Sequence, residues 1–198
     1  MSKRLTLLAL TTAALSAVPA FADTQAANTN TVSPTLVVTV TIQKAIQLTL
    51  ATGTGCTVNS GSDYSISFGN VDALGINNGC GSKFAPATPG TTNAVYYTDY
   101  RLTPTFTSQS VSTNTLTAYV SSTFSKANLS IVKADSAPSA VGDLTAMSTS
   151  SGSQTSLASN ATSGTAITRY IGVSVAPTNG AGLTGADSAT ITYTLTVQ

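Results

Sequence analysis

Residues Thr35 to Leu50 read TLVVTVTIQKAIQLTL, and the reading of this stretch decides the fold. Its even positions are Leu36, Val38, Val40, Ile42, Lys44, Ile46, Leu48 and Leu50, and its odd positions are Val37, Thr39, Thr41, Gln43, Ala45, Gln47 and Thr49. One face is apolar in seven of eight places and the other in two of seven. That is a period of two held in one phase, whereas a helix of period 3.6 would carry the apolar residues round to the other side. The stretch is β. It is also long: at ~3.3 Å per residue it would reach about 50 Å, against about 17–20 Å for an ordinary strand. Either the run divides near Lys44 into two strands with separate tasks, or it is one strand that bends there and passes from one sheet to another.

The chain begins MSKRLTLLALTTAALSAVPAFADT, with Lys3 and Arg4 ahead of a short apolar core and Ala20-Phe21-Ala22 behind it. This is the three-part pattern of a secretory signal peptide over residues 1–22, and a membrane anchor would need about 20 apolar residues. Of 198 residues, cleavage after Ala22 leaves 176, enough for one domain with a substantial core. Of the eight Lys and Arg, removal of Lys3 and Arg4 leaves six against seven Asp, a net charge of −1. No basic excess points to nucleic acid, and no later run is long enough to span a bilayer. The expected location is outside the inner membrane: secreted through the periplasm to the cell surface or beyond it.

His, Trp and Glu are absent, only 8% of residues are charged, and Thr, Ser, Gly and Asn are abundant. With 41% hydrophobic residues in alternating patterns, a folded, uncharged but polar β protein is expected. The two cysteines, Cys56 and Cys80, are expected to form one disulfide worth ~3 kcal/mol in an oxidising compartment. No metal-ligand spacing or cofactor motif is present.

Residues 23–35 show no periodicity and read as a flexible arm, 36–43 as a first strand segment, and 44–198 as the domain proper. Within the domain, Ile46, Leu48 and Leu50 begin a strand, and Tyr64, Ile66 and Phe68 alternate with Ser65 and Ser67 as a short one. Further strands are expected at about 94–106, 115–124, 127–134, 166–176 and 188–198. The last two place Ile167, Ile171, Val173 and Val175, then Ile191, Tyr193, Leu195 and Val197, each on one face. DALGINNGCGSKFAPATPGTTN and the Ser/Thr-rich STSSGSQTSLASNATSG read as loops. No helix is expected. Seven or eight short strands separated by turn signals point to an antiparallel, immunoglobulin-like β-sandwich, with an eight-stranded barrel as the alternative.

Catalysis finds little support. Without His or Glu, acid/base work would fall to Asp63, Asp72, Asp99, Asp135, Asp143 and Asp187, each beside small or turn-forming residues where turn formation is the simpler role. No nucleophile elbow or calcium loop occurs. Tyr96, Tyr97 and Tyr100 form the one aromatic cluster; alternation puts Tyr96 and Tyr100 on one face and Tyr97 on the other. Packing is the simpler use of these rings and a glycan-stacking platform the alternative. The NLS at Asn128 and NAT at Asn160 fit a glycosylation sequon by composition alone.

GCTVNSGSDYSISFGNVDALG, with Cys56, Phe68-Gly69 and Leu74-Gly75, resembles the N-terminal part of spore coat U domain proteins and archaic chaperone/usher pilins. LTGADSATITYTLTVQ resembles the final strand of those subunits, although Cys80 lies in a Gly/Asn-rich loop and a final Tyr is lacking. The resemblance implies an incomplete sandwich completed by donor-strand exchange, with Leu36, Val38, Val40 and Ile42 as the donor row entering a neighbouring copy. It also implies a filament of such copies, assembled with a periplasmic chaperone and an outer-membrane usher. The alternative is a monomeric secreted adhesin or glycan-binding module with its ligand near Tyr96 to Tyr100.

Overall fold

The computed structural model describes residues 38–40, 45–56, 58–59, 64–107, 113–178 and 183–198. The signal peptide, the arm at 23–35, Leu36, Ile42 and Lys44 lie outside them. The chain divides into two compact units, Met1–Ile42 and Gln43–Gln198. Of the first unit only Val38–Val40 are described; they belong to no strand, and Val38 and Val40 are exposed.

The second unit is all-β and antiparallel throughout. Its strands are β1 (Ile46–Thr52), β2 (Val58–Asn59), β3 (Ser65–Ile66), β4 (Ser82–Phe84), β5 (Ala94–Phe106) and β6 (Asn114–Ser122). They continue with β7 (Leu129–Ala134), β8 (Thr145–Ala146), β9 (Thr155–Ser159), β10 (Ile167–Val175) and β11 (Thr190–Val197). Among the described residues the only helical turn is a single 3-10 turn at Val141–Asp143.

One sheet runs β1-β5-β10-β7-β8, with β4 joining β5 on the edge that β1 leaves free further along. The second runs β11-β6-β9, and β2 and β3 form a separate ribbon. The two larger sheets share one core. Tyr100 and Leu102 of β5 and Ile171 of β10 meet Leu116, Ala118 and Val120 of β6 and Leu157 of β9. Among the described residues no ladder joins the two sheets, so the arrangement is sandwich-like rather than a closed barrel.

The period-two pattern explains the register. In β6, Asn114, Leu116, Ala118 and Val120 are buried while the residues between them are half-buried or exposed, and the core side of β11 is set by Leu195 pairing with Leu116 and Tyr193 with Ala118. Pro104 is tolerated inside β5 for a geometric reason. Its carbonyl accepts from Gly164 N–H at 2.7 Å, so its nitrogen faces that loop, beyond the end of β10, where no ladder bond is lost.

Two segments expected to be loops carry strands. Within 72–93, Ser82–Phe84 pairs with β5, and within 148–164, Thr155–Ser159 pairs with β6. Composition misled in both cases. Phe84 stacks on Tyr97 with ring centroids 5.1 Å apart, and Leu157 is the one fully buried residue of β9, with Ala158 half-buried beside it and the Ser and Thr neighbours exposed or half-buried. One inward side chain and a paired backbone suffice for a short edge strand.

The last structural layer closes one end. Phe68, Val71 and Ala73 pack with Phe124 and Leu129 on Ala94, Tyr96, Val173 and Val175, covering the core where β5 begins and β10 ends.

Candidate functional site

The site is the flank between β1 and β11. Among the described residues these strands are the facing edges of the two sheets, with Cα atoms that approach within 8 Å, yet they exchange no ladder. The strand paired with β11 among the described residues is β6. The core-directed row of β11, Ile191, Tyr193 and Leu195, belongs to the main core but stays half-buried, as do Leu48 and Leu50 on β1. Residues behind them, such as Leu102, Leu116 and Ala118, are wholly buried. The sandwich is therefore sealed along its middle and only partly covered along this flank.

Strand polarity follows from the registers. Ile46 pairs with Phe106 and Val197 with Asn114, while Ser163 Oγ donates to the Phe106 carbonyl and Asn114 Nδ2 to Ala161 O, each at 2.9 Å. The start of β1, the end of β5, the start of β6 and the end of β11 thus share one end, called the lower end. β1 runs up from it and β11 runs down to it.

Tyr193 lies edge-on to Tyr100 at 6.1 Å between centroids. Burial raises the pKa of both hydroxyls above the ordinary tyrosine value, and the proximity of Tyr193 raises Tyr100 further.

The residues singled out in the sequence fall as follows. Cys56 and Cys80 are joined in a disulfide with Cα atoms 5.3 Å apart, which ties the segment after β1 to the loop before β4. Gly53, between β1 and that cysteine, admits no side chain: a Cβ there would stand 2.1 Å from the Asp99 carboxyl carbon. That carboxylate accepts from Thr54 N–H at 2.8 Å and fixes the turn. Val38 and Val40 of the donor row are exposed; Leu36 and Ile42 lie outside the described residues. Tyr96 and Tyr100 are 1% and 3% exposed, and Tyr97, on the opposite face, is half-buried against Phe84. The three rings offer no common surface.

The structure adds a constellation the sequence did not mark, around the loop 72–80. The Asp72 carboxylate accepts from the N–H groups of Leu74 (2.8 Å), Ile76 (3.1 Å) and Asn77 (2.6 Å). Lys83 Nζ donates to the carbonyls of Gly75 (2.7 Å) and Asn77 (3.1 Å) and to Asn78 Oδ1 (2.8 Å), and lies 3.4 Å from the Ile76 carbonyl. Partial burial of Asp72 would raise its pKa, but the three N–H bonds and the Tyr96 hydroxyl outweigh it and hold the carboxyl below its usual range. Asp72 could be read as a turn former from its neighbours, but Lys83 carries no local signal, because its partners are backbone carbonyls.

No family model, no curated protein and no solved structure matches the chain. Among the described residues no helix is long and apolar enough to cross a membrane.

Proposed function

We propose that this chain is a structural subunit of a bacterial extracellular filament, in which residues 36–43 of one copy form a strand along the β1/β11 flank of the next. The observation that carries this reading is the half-buried row of Ile191, Tyr193 and Leu195 on a long strand that, among the described residues, forms a ladder with β6 alone. A long apolar edge is a site of strand addition unless something covers it.

Two further features support it. The order β1-β5-β10-β7 corresponds to strands A-B-E-D of an immunoglobulin-like sandwich, and β6 beside β11 corresponds to C and F. The G strand of that fold, which would pair with β11, has no counterpart among the described residues. The donor row has the matching period: Leu36, Val38, Val40 and Ile42 would bury four apolar side chains, an upper estimate of roughly 6–12 kcal/mol. An inserted strand needs its flanks about 9–10 Å apart, two ladder spacings. β1 and β11 must therefore part slightly where they come closest.

A contact in which one copy gives a strand and the next receives it does not close on itself and propagates as a fibre. The exposure of Val38 and Val40 and the partly covered flank would give a periplasmic chaperone and an outer-membrane usher their role before assembly. For the glycan-binding alternative, Tyr96 and Tyr100 form no platform, since both are core residues.

The test is a donor peptide spanning residues 35–43 added to subunits carrying Ile42→Asp. The variant is expected to form no multimers yet to bind the wild-type peptide one to one. Filaments of normal length from Ile42→Asp would refute the assignment of the donor row.

A further inference from the structure

The loop 72–80 is held on both sides of its backbone, yet it presents aliphatic side chains to solvent. Ile76 has its N–H bound by Asp72 and its carbonyl beside the Lys83 ammonium, and its side chain is 72% exposed; Leu74, likewise pinned by Asp72, is 43% exposed. Gly75 between them has φ +68°, and a Cβ there would meet that of Ala85 at 2.6 Å, so the loop has one path. Fixing a backbone so completely to display two aliphatics is the arrangement of a contact surface, because the ordering entropy of docking is already spent.

The strand-sharing reading, on which this inference rests, says what covers it. Every ladder described is antiparallel, so a strand added to β11 runs upward from the lower end and finishes at the upper one. The upper end is where β5 begins and where the loop 72–80 rests on Tyr96. Only four residue steps separate Ile42, the last of the donor row, from Ile46, the first residue of the donor's own β1. At ~3.3 Å each they span about 13 Å. The lower end of the donating copy therefore stands directly on the upper end of the receiving one. Ile46, at that lower end, is itself 48% exposed.

We propose that Leu74 and Ile76 form an end-to-end docking surface for a second copy of this chain, and that they pack against the Ile46 end of the subunit whose strand has been received. The loop thereby sets the angle between successive subunits, a job the short connection cannot do alone.

The experiment is cross-linking of secreted mature protein that carries both Asn77→Cys and Ala45→Cys, using a short bismaleimide. Cys56 and Cys80 are paired and leave no free thiol in the wild type. The double variant is expected to give a ladder that survives boiling, whereas each single variant gives dimers at most. Adding Leu74→Asp and Ile76→Asp is expected to cut the boiling-resistant ladder about tenfold while the unboiled ladder persists. An unboiled ladder with no boiling-resistant one would overturn the docking surface and leave strand sharing standing. Absence of the unboiled ladder in every variant, wild type included, would overturn both.

Discussion

Asp72 shows how one side chain can organise a surface. Its carboxylate accepts from three N–H groups of one loop, those of Leu74, Ile76 and Asn77, and removing it hands these exposed donors to water and takes away the anchor that fixes the loop's path. Asp72→Ala is expected to cost about 1–3 kcal/mol, read as a lower urea midpoint at unchanged m-value. The pH dependence has a definite sign. The folded carboxyl titrates below the unfolded value of about 3.9, so the stabilisation is fully present above that value and is lost as pH falls through the lowered one. The gap between wild type and Asp72→Ala should hold steady at neutral pH and shrink in acid; a gap that stays constant to strongly acid pH would contradict the role. Arg169 makes a different kind of bond. From β10 its Nε donates at 2.8 Å to the carbonyl of Leu157 in β9, with Nη2 joining it, so the guanidinium ties one sheet to the other. Lysine cannot reproduce that fork. Arg169→Lys should therefore lower the midpoint by nearly as much as Arg169→Ala, and full rescue by lysine would show that charge alone matters.

At the scale of elements, the long strands were legible because their side chains obey the period of two over enough residues to exclude a helix. β5 matches the expected 94–106, and β6, β7, β10 and β11 lie within one or two residues of the expected bounds. The short edge strands were not legible, because β9 has one buried apolar residue, Leu157, in a Ser/Thr setting, and its order comes from β6 beside it. Leu157→Ala tests this. A loss of about 2–5 kcal/mol is expected for a core leucine, measured by thermal or urea unfolding; a loss under about 0.5 kcal/mol is what a surface loop would give. The alternation also marked the inward face of β11, but not that this face would remain half-buried. That depends on what stands beside the strand, and strand neighbours are set by topology, to which local pattern is blind. Tyr100 and Tyr193 sharpen the point: sequence places each on an inward face, and only the fold sets them edge to face behind the flank.

At the scale of the molecule, the run from Leu36 to Leu50 is too long for one strand of its domain, and what matters is how it is divided. Its second half is β1, held along its whole length by β5 from Ile46 against Phe106 to Thr52 against Tyr100. Its first half, in the proposed filament, is the missing neighbour of β11 in another copy. In the proposed filament the disulfide and the loop 72–80, both at the upper end, would lie where load passes between subunits. The most direct measurement is the mass of the secreted mature protein on a denaturing gel, run with and without boiling. Strand sharing predicts a ladder of subunit multiples in the unheated lane that collapses to a single monomer band on heating. A monomer band alone in both lanes would contradict it.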